Sequence, residues 1–236
     1  MPDKIKERGI KGAIIFDAST LISLSMNGLL EVLIDLKKQF KGKFLITRLV
    51  KEEVIDRPIK TKRFGLEALR VKKLLDNKVL EMPSSLGIKS QDVEEKTQKI
   101  IDIANSMFVG KGKNIELIHN GEASCLALSR LLLDKKIPHV IAIDERTTRM
   151  LGEKPENLKK LLSRKMNTKI KLKQKDFKYF RGFKFIRSSE LMYVAWKKGL
   201  IDLKDGGSVL DALLFAVKFK GCSISNDEIE KIKKIK

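Results

Sequence analysis

Two short apolar runs, each ending at an aspartate, constrain this chain more than any other feature. AIIF, residues 13–16, meets Asp17 and passes through Ser19 and Thr20 into a helical pattern, and HVIAI, residues 139–143, meets Asp144 and passes into ERTTRML. A short continuous apolar run bounded by cap residues is the pattern of a buried strand, and such strands belong to parallel sheets covered by helices. Ligands of open α/β sheets bind in the crevice outside the strand ends. A carboxylate there has two readings: Asp17 caps the following helix, as Asp, Ser and Thr do, or it belongs to a site that other carboxylates share.

Candidates for such a site appear along the chain. Residues 21–40 read as two helices broken at Asn27 and Gly28, Lys43–Thr47 as a second strand, and LVKEEVID as a helix that stops before Pro58. The order β, α, α, β, α predicts a parallel α/β sheet. On the third helix a 3.6-residue period groups Glu53 with Leu49, Val50 and Val54, which turns Glu53 inward and Glu52 toward water. A helix over residues 61–77 leads to VLEM, residues 79–82, a short strand, and then to a loop at 83–89 and an amphipathic helix at 90–108. GEASCLALSRLLLD, from Gly121, is apolar almost all round and reads as a buried helix with Glu122 in its first turn. Glu122 there either complements the positive helix end, for about 0.3–1 kcal/mol, or joins the site. FKFIRS reads as a last strand, followed by two helices and a charged helical tail.

Charge decides the class of partner. Fifty Lys and Arg against thirty Asp and Glu leave +20 on 236 residues, with a pI near 9.9. That much uncompensated charge points to a polyanion, nucleic acid first, although a lysine-rich proteome produces the same bias. Positive charge concentrates in residues 154–184, where Phe177, Tyr179, Phe180 and Phe183 are interleaved and TKIKLKQK alternates like an exposed strand or hairpin. Such a segment either holds phosphates and stacks bases or is a solvated hairpin whose rings join the core. Lys169, Lys171, Lys173 and Lys175 are its candidate RNA contacts, together with Arg146 and Arg149 on the helix after Asp144. Cys125 and Cys222, the only cysteines, stand in small or apolar surroundings and read as reduced packed thiols rather than a disulfide. The N-terminus fits neither a signal peptide nor a membrane span, so the expectation is a soluble, cytoplasmic protein without membrane contact.

Asp17, Glu53, Glu122 and Asp144 each have a local reason to face one place. Four buried like charges cannot coexist without a partner. Oxygen ligands without His or Cys suit Mg²⁺ or Mn²⁺ rather than zinc, and such a cation lowers the pKa of a bound water and stabilises in-line attack on a phosphodiester.

FDASTLISL, ITRLVKEEV, GEASCLAL and IAIDERTTR, taken in that order, resemble the motifs of the PIN domain family, in its prokaryotic branch with GEA in the middle motif. The resemblance covers most of residues 12–150, and FIRSSELMYVAWKKGLI looks like the family's last strand and helix. It implies one Rossmann-like three-layer α/β domain over residues 1–236, with insertions at about 86–116 and 153–184, the second a basic hairpin. It also implies a metal-dependent endoribonuclease. By motif, Asp17, Glu53, Glu122 and Asp144 correspond to the catalytic, metal-binding acids, and Ser19 to the hydroxyl residue that supports the first of them. RNA is the implied partner, while homodimerisation, an antitoxin partner and toxin identity stay open. An RNA-binding module without turnover is the main alternative. A phosphatase of the haloacid dehalogenase type is disfavoured, because its second Asp would stand where Ser19 does.

Overall fold

The computed structural model describes residues 12–173, 177–203 and 206–235, with 206 and 207 described by backbone alone. The charged N-terminal run and Lys175 lie outside these residues. Strand β1 (Ala13–Phe16) is followed by helices α1 (Ala18–Met26) and α2 (Leu30–Gln39), then by β2 (Lys43–Leu45) and α3 (Arg48–Lys51). Next come α4 (Gly65–Asp76), α5 (Ser90–Ser106), β3 (Phe108–Gly110), β4 (Lys113–Asn114) and α6 (Asn120–Asp134). Then follow β5 (His139–Ala142), α7 (Arg146–Glu153), α8 (Leu158–Lys165), β6 (Ile170–Leu172) and β7 (Phe185–Ile186). Helices α9 (Ser188–Lys197), α10 (Gly206–Phe219) and α11 (Asn226–Lys233) end the chain.

The main sheet has the order β2-β1-β5-β7, all parallel. Ile15, Phe16, Leu45, Ile141 and Ala142 are almost wholly buried, which is why these strands read as continuous rather than alternating apolar runs. Helix α6 packs on β1 and β5 with α5 outside it, and α9 packs against α1 and α10. The result is the expected α/β architecture, a parallel sheet flanked by helices in a Rossmann-like arrangement. From β1 the chain builds first toward β2 and later toward β5, so the strand order reverses between β1 and β5. That reversal is where the crevice of an open α/β sheet lies. Phe16 is in register with Ala142, and the Asp17 N–H donates to the Ala142 carbonyl at 2.9 Å, so Asp17 and Asp144 leave the sheet at nearly the same level.

Three expectations need correction. The helix carrying Glu53 does not keep a 3.6-residue period: α3 runs into a π-helical turn over Glu52–Asp56, closed by a bond from the Arg57 N–H to the Glu52 carbonyl. The wider turn rotates the stripe, so Val54 and Ile55 are buried while Glu53 is exposed and Glu52 pairs with Arg48. VLEM makes a single parallel bridge, Leu45 to Glu81, rather than a strand.

The basic strand β6, finally, pairs antiparallel with β3 some sixty residues earlier, in a second sheet ordered β4-β3-β6. The two expected insertions are therefore one structure. Leu172 lies opposite Phe108, and Ile170 is buried, so β6 covers apolar surface of β3. The rings downstream join the core as well: Phe180 and Phe183 are buried, and Phe177 lies 6.3 Å from Phe108. Arg130 stacks over Phe183 and Tyr179. Phe180 and Phe183 are thus closed to a stacking base, while Phe177 and Tyr179 stay half-buried. Cys125 and Cys222 are free and buried, as expected. Among the described residues no single helix is long and apolar enough to cross a membrane.

Candidate active site at the strand ends

Asp17 caps α1 from an extended conformation, and it does so with one oxygen. Its Oδ2 accepts both the Ser19 N–H, at 3.0 Å, and the Ser19 hydroxyl, at 2.6 Å. Oδ1 is left on the α6 side, where among the described residues it meets the weak Cys125 thiol at 3.9 Å. Capping and site membership are thus compatible for this residue. Ser19 in turn accepts the Asp144 backbone N–H at 3.0 Å, which ties the ends of β1 and β5 together through one hydroxyl.

Glu53 reaches the same place from the π-turn. A methyl group built on Gly121 would lie 2.5 Å from Glu53 Oε2 and 3.8 Å from Asp17 Oδ1, so both carboxylates flank one point that only a glycine leaves open. Glu122 follows at the start of α6. Its Oε2 accepts the His119 N–H at 2.7 Å, so it too has the capping role that was the plainer of its two readings. Beside these groups lies a hollow of about 300 Å³ whose lining includes Glu53, Arg57, Glu116, His119 and Gly121.

Asp144 is buried at the strand end but is turned away from this group. Both of its oxygens are engaged by Ser188, Oδ1 by the N–H and Oδ2 by the hydroxyl, each at 2.7 Å. The structure therefore brings Asp17, Ser19 and Glu53 together, sets Glu122 near enough for Asp17 and Glu53 to repel it, and places Asp144 behind Ser19 as the anchor of α9. The carboxylate that repels Glu122 from the β5 side is the next residue, Glu145, which caps α7 through the Thr148 N–H.

Burial raises all four acids, and repulsion from neighbouring carboxylates adds to it at Asp17 and Glu122. Asp17 is pushed up to about 6, mainly by burial, with the Ser19 bonds opposing and Glu53 adding repulsion. Glu122 is pushed up to about 8 by burial and then by Asp17, Glu145 and Glu53, against the His119 N–H. Glu53, exposed as a residue, is raised by the protein that partly shields its carboxylate from water, moderated by Arg57 and His119, and Asp144 is raised by burial, moderated by Ser188. Among the described residues none of these four acids forms an ion pair.

Among the described residues no three or more His, Cys, Asp and Glu side chains stand close enough together to hold a metal ion as placed. The chemistry of the donors nevertheless fits a hard cation: they are all carboxylates, among the described residues none of them forms an ion pair, and Gly121 keeps the space between two of them clear.

Of the expected RNA contacts, Lys169, Lys171 and Lys173 are exposed on or beside β6. It is an edge strand, where lysines also discourage pairing with another chain. Arg146 is exposed and Arg149 half-buried, with Nη2 donating to the Ser223 carbonyl at 2.8 Å. Sequence reasoning passed over Arg57, His119 and Glu145. His119 could have been found as one of two histidines, standing just before the GEA run; Arg57 and Glu145 carry no signal apart from their neighbours.

Fold and crevice together define an α/β domain with a carboxylate site at the reversal of its strand order. Comparisons with protein-family models, with curated proteins and with solved structures find no match for the chain.

Proposed function

We propose that the protein is a PIN-type, metal-dependent endoribonuclease that hydrolyses RNA phosphodiesters at the crevice formed by Asp17, Glu53 and Glu122. One observation carries this reading: Asp17 and Glu53 flank one point at Gly121 and, among the described residues, neither they nor Glu122 form an ion pair, while burial and mutual repulsion push Asp17 up to about 6 and Glu122 up to about 8. Perturbed carboxylates in a ligand crevice are what a functional site looks like when it is not satisfied by its own chain.

Asp17, Glu53 and Glu122 are the residues that would hold Mg²⁺ or Mn²⁺. When bound, such a cation supplies charge neutralisation and Lewis acidity toward a phosphodiester and the water that attacks it. Ser19 fixes Asp17 by two bonds to one oxygen and leaves the other free. Oε2 of Glu122 accepts the His119 N–H, so a proton on this group would sit on Oε1, and Glu122 would have to release it to hold a cation. Arg57 and His119, at the hollow beside Glu53, offer donors to a phosphate. In the reaction the water oxygen bonds to phosphorus, the bond to the leaving ribose oxygen breaks, and that oxygen departs protonated. Asp144 acts here as a positioning residue for β5, Ser19 and α9.

A second reading, an RNA-binding module without turnover, draws on the engagement of Asp144 by Ser188, which leaves fewer free acids than an active nuclease would offer. The purified protein incubated with assorted RNAs, with and without Mn²⁺, separates the two. Products that need Mn²⁺ and vanish in Asp17→Asn support the nuclease. Tight RNA binding with no products at any Mn²⁺ concentration assigns the second reading.

A further inference from the structure

A cleft of about 780 Å³ opens on the other side of Asp144 from the acidic crevice. Helices α7 and α8 form one wall and the segment 218–228 forms the other. The two sites adjoin through backbone bonds: Asp144 gives its N–H to Ser19 and takes the Ser223 N–H, at 3.2 Å, on its carbonyl. Arg146, Arg149, Lys154, Lys160, Arg164 and Lys218 line the cleft. Its two acids are Glu153 and Glu228, and Glu228 is taken by Arg187 at 2.8 Å. Among the described residues Arg146, Lys154, Lys160 and Arg164 form no ion pair, and Arg149 Nε is buried without a hydrogen-bond partner.

Four unneutralised cations and an unsatisfied guanidinium nitrogen around one concavity repel one another unless anionic groups enter. The volume and the spread of charge over three chain segments exceed what one phosphate requires and suit several successive phosphates. Among the described residues no aromatic ring lines the cleft, so it holds no aromatic platform for base stacking.

We infer that this cleft is a second, sequence-independent site that grips the backbone phosphates of an RNA strand beyond the point of cleavage. The inference rests on the proposed nuclease reading only for the identity of the anion. It also moves the main phosphate grip from the β6 lysines to α7 and α8.

The test uses the full chain and a labelled single-stranded RNA of about 12 nucleotides in EDTA, followed by fluorescence anisotropy over a range of salt. Lys160 and Arg164 are exposed, so Lys160→Glu with Arg164→Glu leaves the core untouched. The expected result is a Kd raised at least about tenfold near physiological salt, and a log–log salt slope reduced by about 1.4, about 0.7 for each lost phosphate contact. A Kd within about twofold of the parent with an unchanged slope overturns the inference, and so does displacement of the RNA by polyglutamate at equal charge concentration. Mn²⁺-dependent cleavage by Asp17→Asn is scored separately. Lost cleavage there alongside unchanged binding in the double variant removes the cleft and leaves the nuclease; the opposite pair of results does the reverse.

Discussion

Ser19 donates its hydroxyl proton to Asp17 Oδ2 across 2.6 Å. The Ser19 hydroxyl oxygen itself accepts the Asp144 N–H at 3.0 Å, so one side chain sets both the direction of the first acid and the spacing of two strand ends. Removing it leaves a buried N–H without a partner and frees the Asp17 carboxylate to turn. Ser19→Ala is expected to cost about 1–3 kcal/mol in thermal or urea unfolding. Mn²⁺-dependent cleavage should fall by more than that stability loss explains, with a higher Mn²⁺ requirement. Unchanged half-saturation by Mn²⁺ would show that Ser19 holds the fold alone.

Gly121 separates stability from activity. A side chain there meets Glu53 Oε2 at 2.5 Å, yet the residue lies in the first turn of α6, where alanine is the better helix former by up to about 1 kcal/mol. Gly121→Ala should therefore keep or raise the melting temperature while cleavage drops at least about tenfold, roughly 1.4 kcal/mol of lost transition-state stabilisation. Full activity in this variant would mean that Glu53 does not serve the site.

The pH dependence of the metal-free protein follows from Glu122. Its pKa stands at about 8 in the folded chain and near 4.5 in the unfolded one. Between those values the folded state binds the extra proton, so this group's contribution is fully present below the unfolded value and is lost as pH rises through the folded one. In EDTA the wild type should lose stability from about pH 5 to pH 8 relative to Glu122→Gln, at about 2–4 °C of melting temperature per kcal/mol. Saturating Mn²⁺ should shrink the difference, because the cation binds only the ionised carboxylate. Parallel melting curves across this range would contradict the assignment of Glu122.

Asp144 and Asp17 should behave differently. Asp144 spends both oxygens on Ser188, so Asp144→Asn replaces two bonds to a carboxylate by weaker neutral ones and obliges the Ser188 hydroxyl to accept where it had donated. A stability loss of about 1–3 kcal/mol is expected, with cleavage falling in step. Ser188→Ala should reproduce part of the thermal effect in differential scanning calorimetry. An Asp144→Asn protein that melts like the parent yet cannot cleave would instead make Asp144 a direct ligand.

The architecture could be read in the sequence because burial on both faces forces strands such as AIIF and HVIAI to be apolar throughout, and because cap residues mark where helices begin. For the same reason Asp17, Ser19, Glu122 and Asp144 could be placed at strand ends and helix starts without coordinates. Glu53 was found by a period that the π-turn then broke. It reaches the crevice by leaning over the strand ends, not by pointing into the core. Long-range pairing was beyond local pattern too: nothing in TKIKLKQK says that β6 would choose β3 over a neighbouring strand.

The chain's own order of apolar runs, caps and charges determined a helix-covered parallel sheet, the level at which its acids leave that sheet, and a strongly cationic molecule. Only the tertiary structure decided which acids face one another. Asp144 turns to Ser188, Glu145 comes within reach of Glu122, and cations from α7, α8 and the segment 218–228 gather around one cleft. Side-chain direction and the meeting of distant segments depend on packing across the sheet, which no local periodicity encodes.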